Sequence, residues 1–162
     1  MGLNWFSRIA RFFLYWILMV VIATGAFWIY VYFDSIGIIR DRTNDLSMIV
    51  AEENCLSEVY IDSYNELLTM SETPWLKFEN KNGALRDRPY VVKSYTSNAL
   101  LFSYTAATQR GKPIYVKLTG SISLPFFVGV GQGGLANDRP SLDFEMSQDY
   151  VVMGLKFYKD KE

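Results

Sequence analysis

The sequence predicts an α+β fold in which one long N-terminal helix, transmembrane and then amphipathic, packs on a C-terminal, mainly antiparallel β-sheet domain. Three observations predict it. Residues 12–33 form a run of 22 residues without a charge. Residues 34–56 contain no proline, and Ile36, Ile39, Leu46, Ile49, Val50 and Leu56, with Thr43 in the gap, make one helical stripe. From residue 75 onward, short alternating runs are separated by turn residues. Helices first and strands after is the order of an α+β domain.

The uncharged run comes first. At about 1.5 Å per residue it is roughly 33 Å long as a helix, enough for a hydrocarbon core of about 30 Å. Aromatic residues flank it, with Trp5, Tyr15 and Trp16 at one end and Trp28, Tyr30 and Tyr32 at the other. Such side chains are apolar in body and polar at one tip, which suits a lipid–water interface. Phe12, Trp16, Ile22, Gly25, Trp28 and Phe33 mark the expected span. A signal peptide has a shorter apolar region of about 7–15 residues, so a retained anchor is expected. Residues 1–33 are read as an anchor with a short cytoplasmic lead-in, and residues 34–162 as an extracytoplasmic domain.

Orientation follows from Lys and Arg near each end of the span. Arg8, Arg11 and the terminal amine precede it and Arg40 and Arg42 follow, which places the N-terminus in the cytoplasm by a small margin. Residues 33–60 carry two basic residues against six acidic ones.

Within the run, Ala23, Thr24, Gly25 and Ala26 form a patch of small residues, which let helices approach closely in lipid. Ala23, Gly25 and Ala26 are therefore candidates for helix contact, as are Ile39, Leu46 and Ile49 on the amphipathic stripe. That stripe is also expected to cover one face of the sheet. The helix is predicted over residues 5–55, with Gly37 as a point of bending.

A second helix is predicted over 57–69, with Ser57 as N-cap and Val59, Tyr64, Leu67 and Leu68 as its inner side. Pro74 ends it. Residues 34–70 are thus helical and 75–158 β-rich. Strands are predicted over 75–78, 88–95, 99–105, 113–121, 124–130, 141–146 and 150–158. The turns between them include Asn80-Lys81-Asn82-Gly83, Gln109-Arg110-Gly111-Lys112 and Ser147-Gln148-Asp149.

Composition excludes much chemistry. There is no histidine and a single cysteine, Cys55, so imidazole-dependent catalysis, internal disulfides and Cys-x-x-Cys motifs are absent. The 16 basic and 17 acidic residues leave no field that favours nucleic acid. Gly129-Val130-Gly131-Gln132-Gly133-Gly134 lacks the Gly-Lys-Ser/Thr of a phosphate loop and is read as a connection between strands. Asp41, Asp45, Glu52 and Glu53 lie beside arginines with no histidine to complete a metal site, and are read as a solvated or pairing surface. Asn80, Asn82 and Asp87 lack the spacing of a calcium loop. No catalytic, metal or cofactor residues are expected, and Cys55 is read as a small core residue.

This layout resembles the type IV pilin-like proteins, including TadE-like minor pilins and related subunits of conjugation machines. The likeness covers most of the chain and lies in layout rather than in a motif. The run holds no glutamate, and no glycine immediately precedes Phe12. The resemblance implies a structural subunit whose apolar helix packs with its copies into a filament while the sheet faces outward. The other expectation is an accessory single-pass subunit of a larger transport or secretion complex. Expected partners are the lipid bilayer and either copies of the chain or other membrane subunits. Aromatic residues, at 16%, suit protein contact in either case.

Overall fold

The computed structural model of the chain describes residues 2–78, 88–125 and 141–157. A helix, α1 (Gly2–Glu53), is followed by α2 (Glu58–Met70) and four strands, β1 (Leu76–Lys77), β2 (Tyr90–Ser94), β3 (Pro113–Pro125) and β4 (Ser141–Met153). A single 3₁₀ turn, Tyr104–Ala106, lies between β2 and β3. This is the expected α+β arrangement of a long N-terminal helix and an antiparallel sheet.

β3 is the centre of the sheet. β4 runs antiparallel along its whole length, from Pro113 opposite Met153 to Pro125 opposite Ser141. β1 and β2 lie end to end along the other edge, with Leu76 opposite Ile122 and Val92 opposite Val116. Alternation along β3 sends Ile114, Val116, Leu118, Ile122 and Leu124 inward, where all are buried. On the opposite face Lys117 stands across from Asp149, an opposite-charge cross-strand pair.

The inner face is covered by α1. Val31, Ser35, Ile39, Thr43, Leu46 and Val50 are buried, at helical steps of three and four that keep them on one side. Ile39 and Leu46 are therefore spent against the chain's own sheet, and Ile49 is half-buried against the same core. Of the two small polar members of the stripe, the Thr43 hydroxyl donates to the Ile39 carbonyl at 2.6 Å, while the buried Ser35 hydroxyl has no partner among the described residues. Gly120 is what lets the helix come this close. A Cβ there would lie 3.0 Å from both the Ile39 and the Leu76 Cδ1 atoms. Gly120→Ala should therefore lower stability by about 1–2 kcal/mol through overpacking. Ile39→Val, which removes one of the two methyl groups, should recover part of the loss in a denaturant titration of the double variant.

α2 packs on α1 through Ile61, Tyr64 and Leu68. Val59, predicted on the inner side, is 73% exposed, because the buried face begins at Ile61 and recurs at i+3 and i+7. The Tyr64 hydroxyl donates to the Arg42 carbonyl at 2.7 Å. Burial, with the Asp45 carboxylate adding to it, pushes the Tyr64 phenol far above its ordinary range, so it remains a donor. Ser57 stands at the N-cap, but its hydroxyl makes no cap bond; its carbonyl receives the Tyr60 and Ile61 N–H groups.

The β1 approach is held by Glu72, whose carboxylate accepts from the Phe78 N–H at 3.0 Å and from Lys77 Nζ at 2.8 Å. Burial alone would raise this carboxyl; the bonds from Lys77 and Phe78 outweigh it and hold the pKa below the ordinary 4.5. A depressed carboxylate stabilises fully above its unfolded value and loses that contribution as pH falls through the folded one. Glu72→Gln should therefore flatten the loss of thermal stability on acidification below about pH 4.5. The difference should be under about 1 kcal/mol for so open a pair.

Three sequence expectations are corrected. Residues 99–105 do not form a strand. They contribute one bridge, Lys93 to Leu100, and then leave the ladder, because the Leu101 carbonyl accepts the Leu56 N–H at 2.8 Å beside the α1–α2 junction. Ser147-Gln148-Asp149 is not a turn. None of the three is Gly or Pro, and all continue the ladder opposite Thr119, Leu118 and Lys117, so 141–146 and the start of 150–158 join into one strand. Likewise 113–121 and 124–125 are one strand, β3. The glycine-rich run at 129–134 and the Asn80–Asp87 group lie outside the described residues.

Candidate membrane and assembly surfaces

α1 divides by what touches it. Along residues 7–23 every side chain is exposed or nearly so, including Phe12, Trp16, Met19 and Ile22, and the most apolar window of the helix has no part buried by the rest of the chain. By length and composition α1 is one helix capable of crossing a membrane. Large apolar side chains are exposed on every side of this part of the helix.

Contact with the domain begins at Phe27, not after Phe33. The Phe27 ring meets Trp75 edge to face at 5.8 Å, Val31 is fully buried, and the Tyr32 ring lies 6.3 Å from Phe144. Trp28 is half-buried against the same core. The last residues of the uncharged run therefore belong to both parts of the molecule, and the 33/34 boundary runs through packed structure. Tyr30 and Phe33, on the other side of the helix, remain 61% and 66% exposed.

The small-residue patch lies just before this junction. Ala23 and Ala26 are exposed, and a Cβ on Gly25 would meet nothing within 4 Å. Among the described residues nothing requires a small side chain at Gly25. Gly37, also with open space, lies inside the continuous helix.

The far end of α1 is closed by Asn54. Its left-handed backbone, with φ of 57°, ends the helix two residues before the predicted limit. The buried side chain ties three segments together. Its amide donates to the Thr108 carbonyl at 2.8 Å and to the Lys156 carbonyl, and its Oδ1 accepts the Lys156 N–H at 3.0 Å. Gly154 passes directly over this side chain, and a Cβ there would stand 2.6 Å from Oδ1. Lys156 Nζ also pairs with Glu53. No sequence signal in Asn54 alone pointed to this node. Cys55, next to it, is buried, as a small core residue would be.

The outer face of the sheet carries an open cleft of about 490 Å³ lined by Val91, Lys93, Asn98, Leu100, Tyr115 and Lys117. Lys93 Nζ sits 5.0 Å above the Tyr115 ring, a cation–π contact that occupies it. Burial, together with Asp149, raises the Tyr115 phenol. Two lysines, an amide and a protonated phenol make no nucleophile–base pair. Among the described residues no three acidic or cysteine side chains come together as metal ligands. Of the acidic group on α1, Asp45 pairs with Arg42 at 2.7 Å, so part of it is a surface ion pair.

No protein-family model, curated protein or solved structure matches the chain.

Proposed function

We propose that this chain is a non-enzymatic, single-pass membrane protein that works by assembly, with α1 anchoring it and presenting a contact face within the bilayer. The observation that carries the reading is the contrast along one helix: Ile39, Leu46 and Val50 are buried in the chain's own core, while residues 12–23 are exposed. Lipid and other helices are the partners that such a surface suits. Arg8 and Arg11 favour a cytoplasmic N-terminus and an extracytoplasmic sheet. The layout supports a pilin-like subunit of a surface filament or of a conjugation or secretion apparatus.

Mechanical shearing of intact cells tests it. A filament subunit should leave the cells in large particles. Full retention in the membrane, with other chains copurifying in fixed ratio, would replace the filament reading by that of an accessory subunit. Gly25→Leu is expected to disrupt assembly while leaving the folded monomer intact, because Gly25 has open space within its own chain. Unchanged particle size would remove the small patch from the contact face.

A further inference from the structure

We propose that the anchor-side end of the sheet is itself a lipid-contacting surface, so that the domain sits directly in the outer headgroup layer without a stalk. This rests on the membrane reading of α1 and goes beyond it.

The sheet end and the apolar run occupy the same level of the molecule. Phe27 touches Trp75 and Tyr32 touches Phe144, so the start of β4 and the approach to β1 lie beside the last turns of the uncharged run. β4 begins at this end with Leu142, which is 50% exposed although its ladder partner Leu124 is buried. At the same height Tyr30 and Phe33 point away from the sheet and are more than half exposed. Apolar surface is thus shown on both sides of the helix, on residues distant in sequence.

Length arithmetic supplies the occupant. A hydrocarbon core of about 30 Å takes about 20 helical residues. If those began at Phe12, directly after Arg11, the core would reach about Val31 and would take in the sheet end. Strand edges and irregular backbone cannot lie in hydrocarbon, since their polar groups find no partner there. The sheet therefore sets the depth. The core takes roughly residues 8–27, with Arg8 and Arg11 reaching back to the inner headgroups along their aliphatic stems. Trp28, Tyr30, Tyr32, Phe33 and Leu142 then form an aromatic and aliphatic collar in the outer interface, where rings with a polar tip are favoured, and Trp75, whose indole N–H is buried, adds only the exposed part of its ring. The span is displaced toward the N-terminus from the uncharged run itself.

Spin labels on single cysteines test this in the full chain, in vesicles of phosphatidylcholine and phosphatidylglycerol, with Cys55→Ala as background. Labels go at Ile22→Cys, Leu142→Cys and Val151→Cys, all exposed positions. Collision with oxygen relative to a water-soluble nickel chelate should be high at residue 22. It should be several-fold higher at residue 142 than at residue 151, at the far end of β4. Equal, water-like values at 142 and 151 with a lipid value at 22 would overturn the collar and leave the anchor standing. A water-like value at 22 would overturn both. Quenching of Trp75 by shallow brominated lipids, in a chain with Trp5, Trp16 and Trp28 changed to Phe, provides a second reading that leaves residue 142 unaltered. Absence of quenching there, with Trp16 in the matching chain quenched by lipids brominated deep in the acyl chain, would also count against the collar.

Discussion

Asn54→Ala, at a fully buried position, should lower stability by about 3 kcal/mol. The side chain makes two donor bonds and one acceptor bond, and its backbone accepts the Thr108 N–H as well. Alanine removes the three side-chain bonds, all part-buried, and leaves the Thr108 carbonyl and the Lys156 backbone groups without this partner, each at about 1 kcal/mol. It also places a non-glycine residue without a compensating amide in the left-handed region, at φ 57°. Gly154→Ala should be nearly as damaging for a different reason. Its methyl would enter the space of the Asn54 amide, 2.6–2.7 Å from its nearest atoms. The two changes share one cause and should not add. In the double variant the new methyl meets no amide, so its loss should be smaller than the sum by about 1 kcal/mol or more. Chemical denaturation in detergent, followed by tryptophan emission, measures all three. Strict additivity would show that Gly154 is constrained by something other than Asn54.

The second large effect concerns the bilayer. Met19→Asp with Ile22→Asp puts two carboxylates near the middle of the uncharged run, where each costs about 3 kcal/mol on insertion. Together they should shift partition against the membrane by roughly 10⁴-fold, at 1.4 kcal/mol per factor of ten. Both side chains are exposed and touch nothing in the domain, so the sheet should fold as before. The expected result is a chain that alkaline extraction releases from the membrane pellet, while the unaltered chain stays in it. Retention of the doubly charged chain at the unaltered level would sink the single-span reading. A hydroxyl-bearing control, Ile22→Thr, should remain in the pellet.

How much of this was legible depends on the range of the interactions involved. The α1 helix was readable because its signals are local: a charge-free run, then a stripe at three- and four-residue steps. The same holds for α2, whose end at Met70 lies close to Pro74. Element limits were less legible where distant segments intervene. Ser147-Gln148-Asp149 has turn-like composition, yet it extends β4 because an unbroken β3 offers partners to each backbone group. Residues 99–105 have strand-like alternation, yet the Leu56 N–H takes the Leu101 carbonyl and draws the segment away. Asn54 reads as an ordinary polar residue until Thr108 and Lys156 arrive from more than fifty residues away.

The candidate surfaces divide in the same way. By itself the sequence determined that the chain has one long apolar helix, an amphipathic continuation, a β-rich remainder, no histidine and too few cysteines for an internal disulfide. These follow from composition and periodicity, which need no partner to be meaningful. Only the tertiary structure decided where the free helix ends. Phe27, Trp28 and Val31 look no different in sequence from Phe12, Trp16 and Val20, but Trp75 and the sheet core close over the first group and leave the second open. Hydrophobicity is a property of a side chain; burial is a property of its neighbours, and here those neighbours come from the other end of the chain.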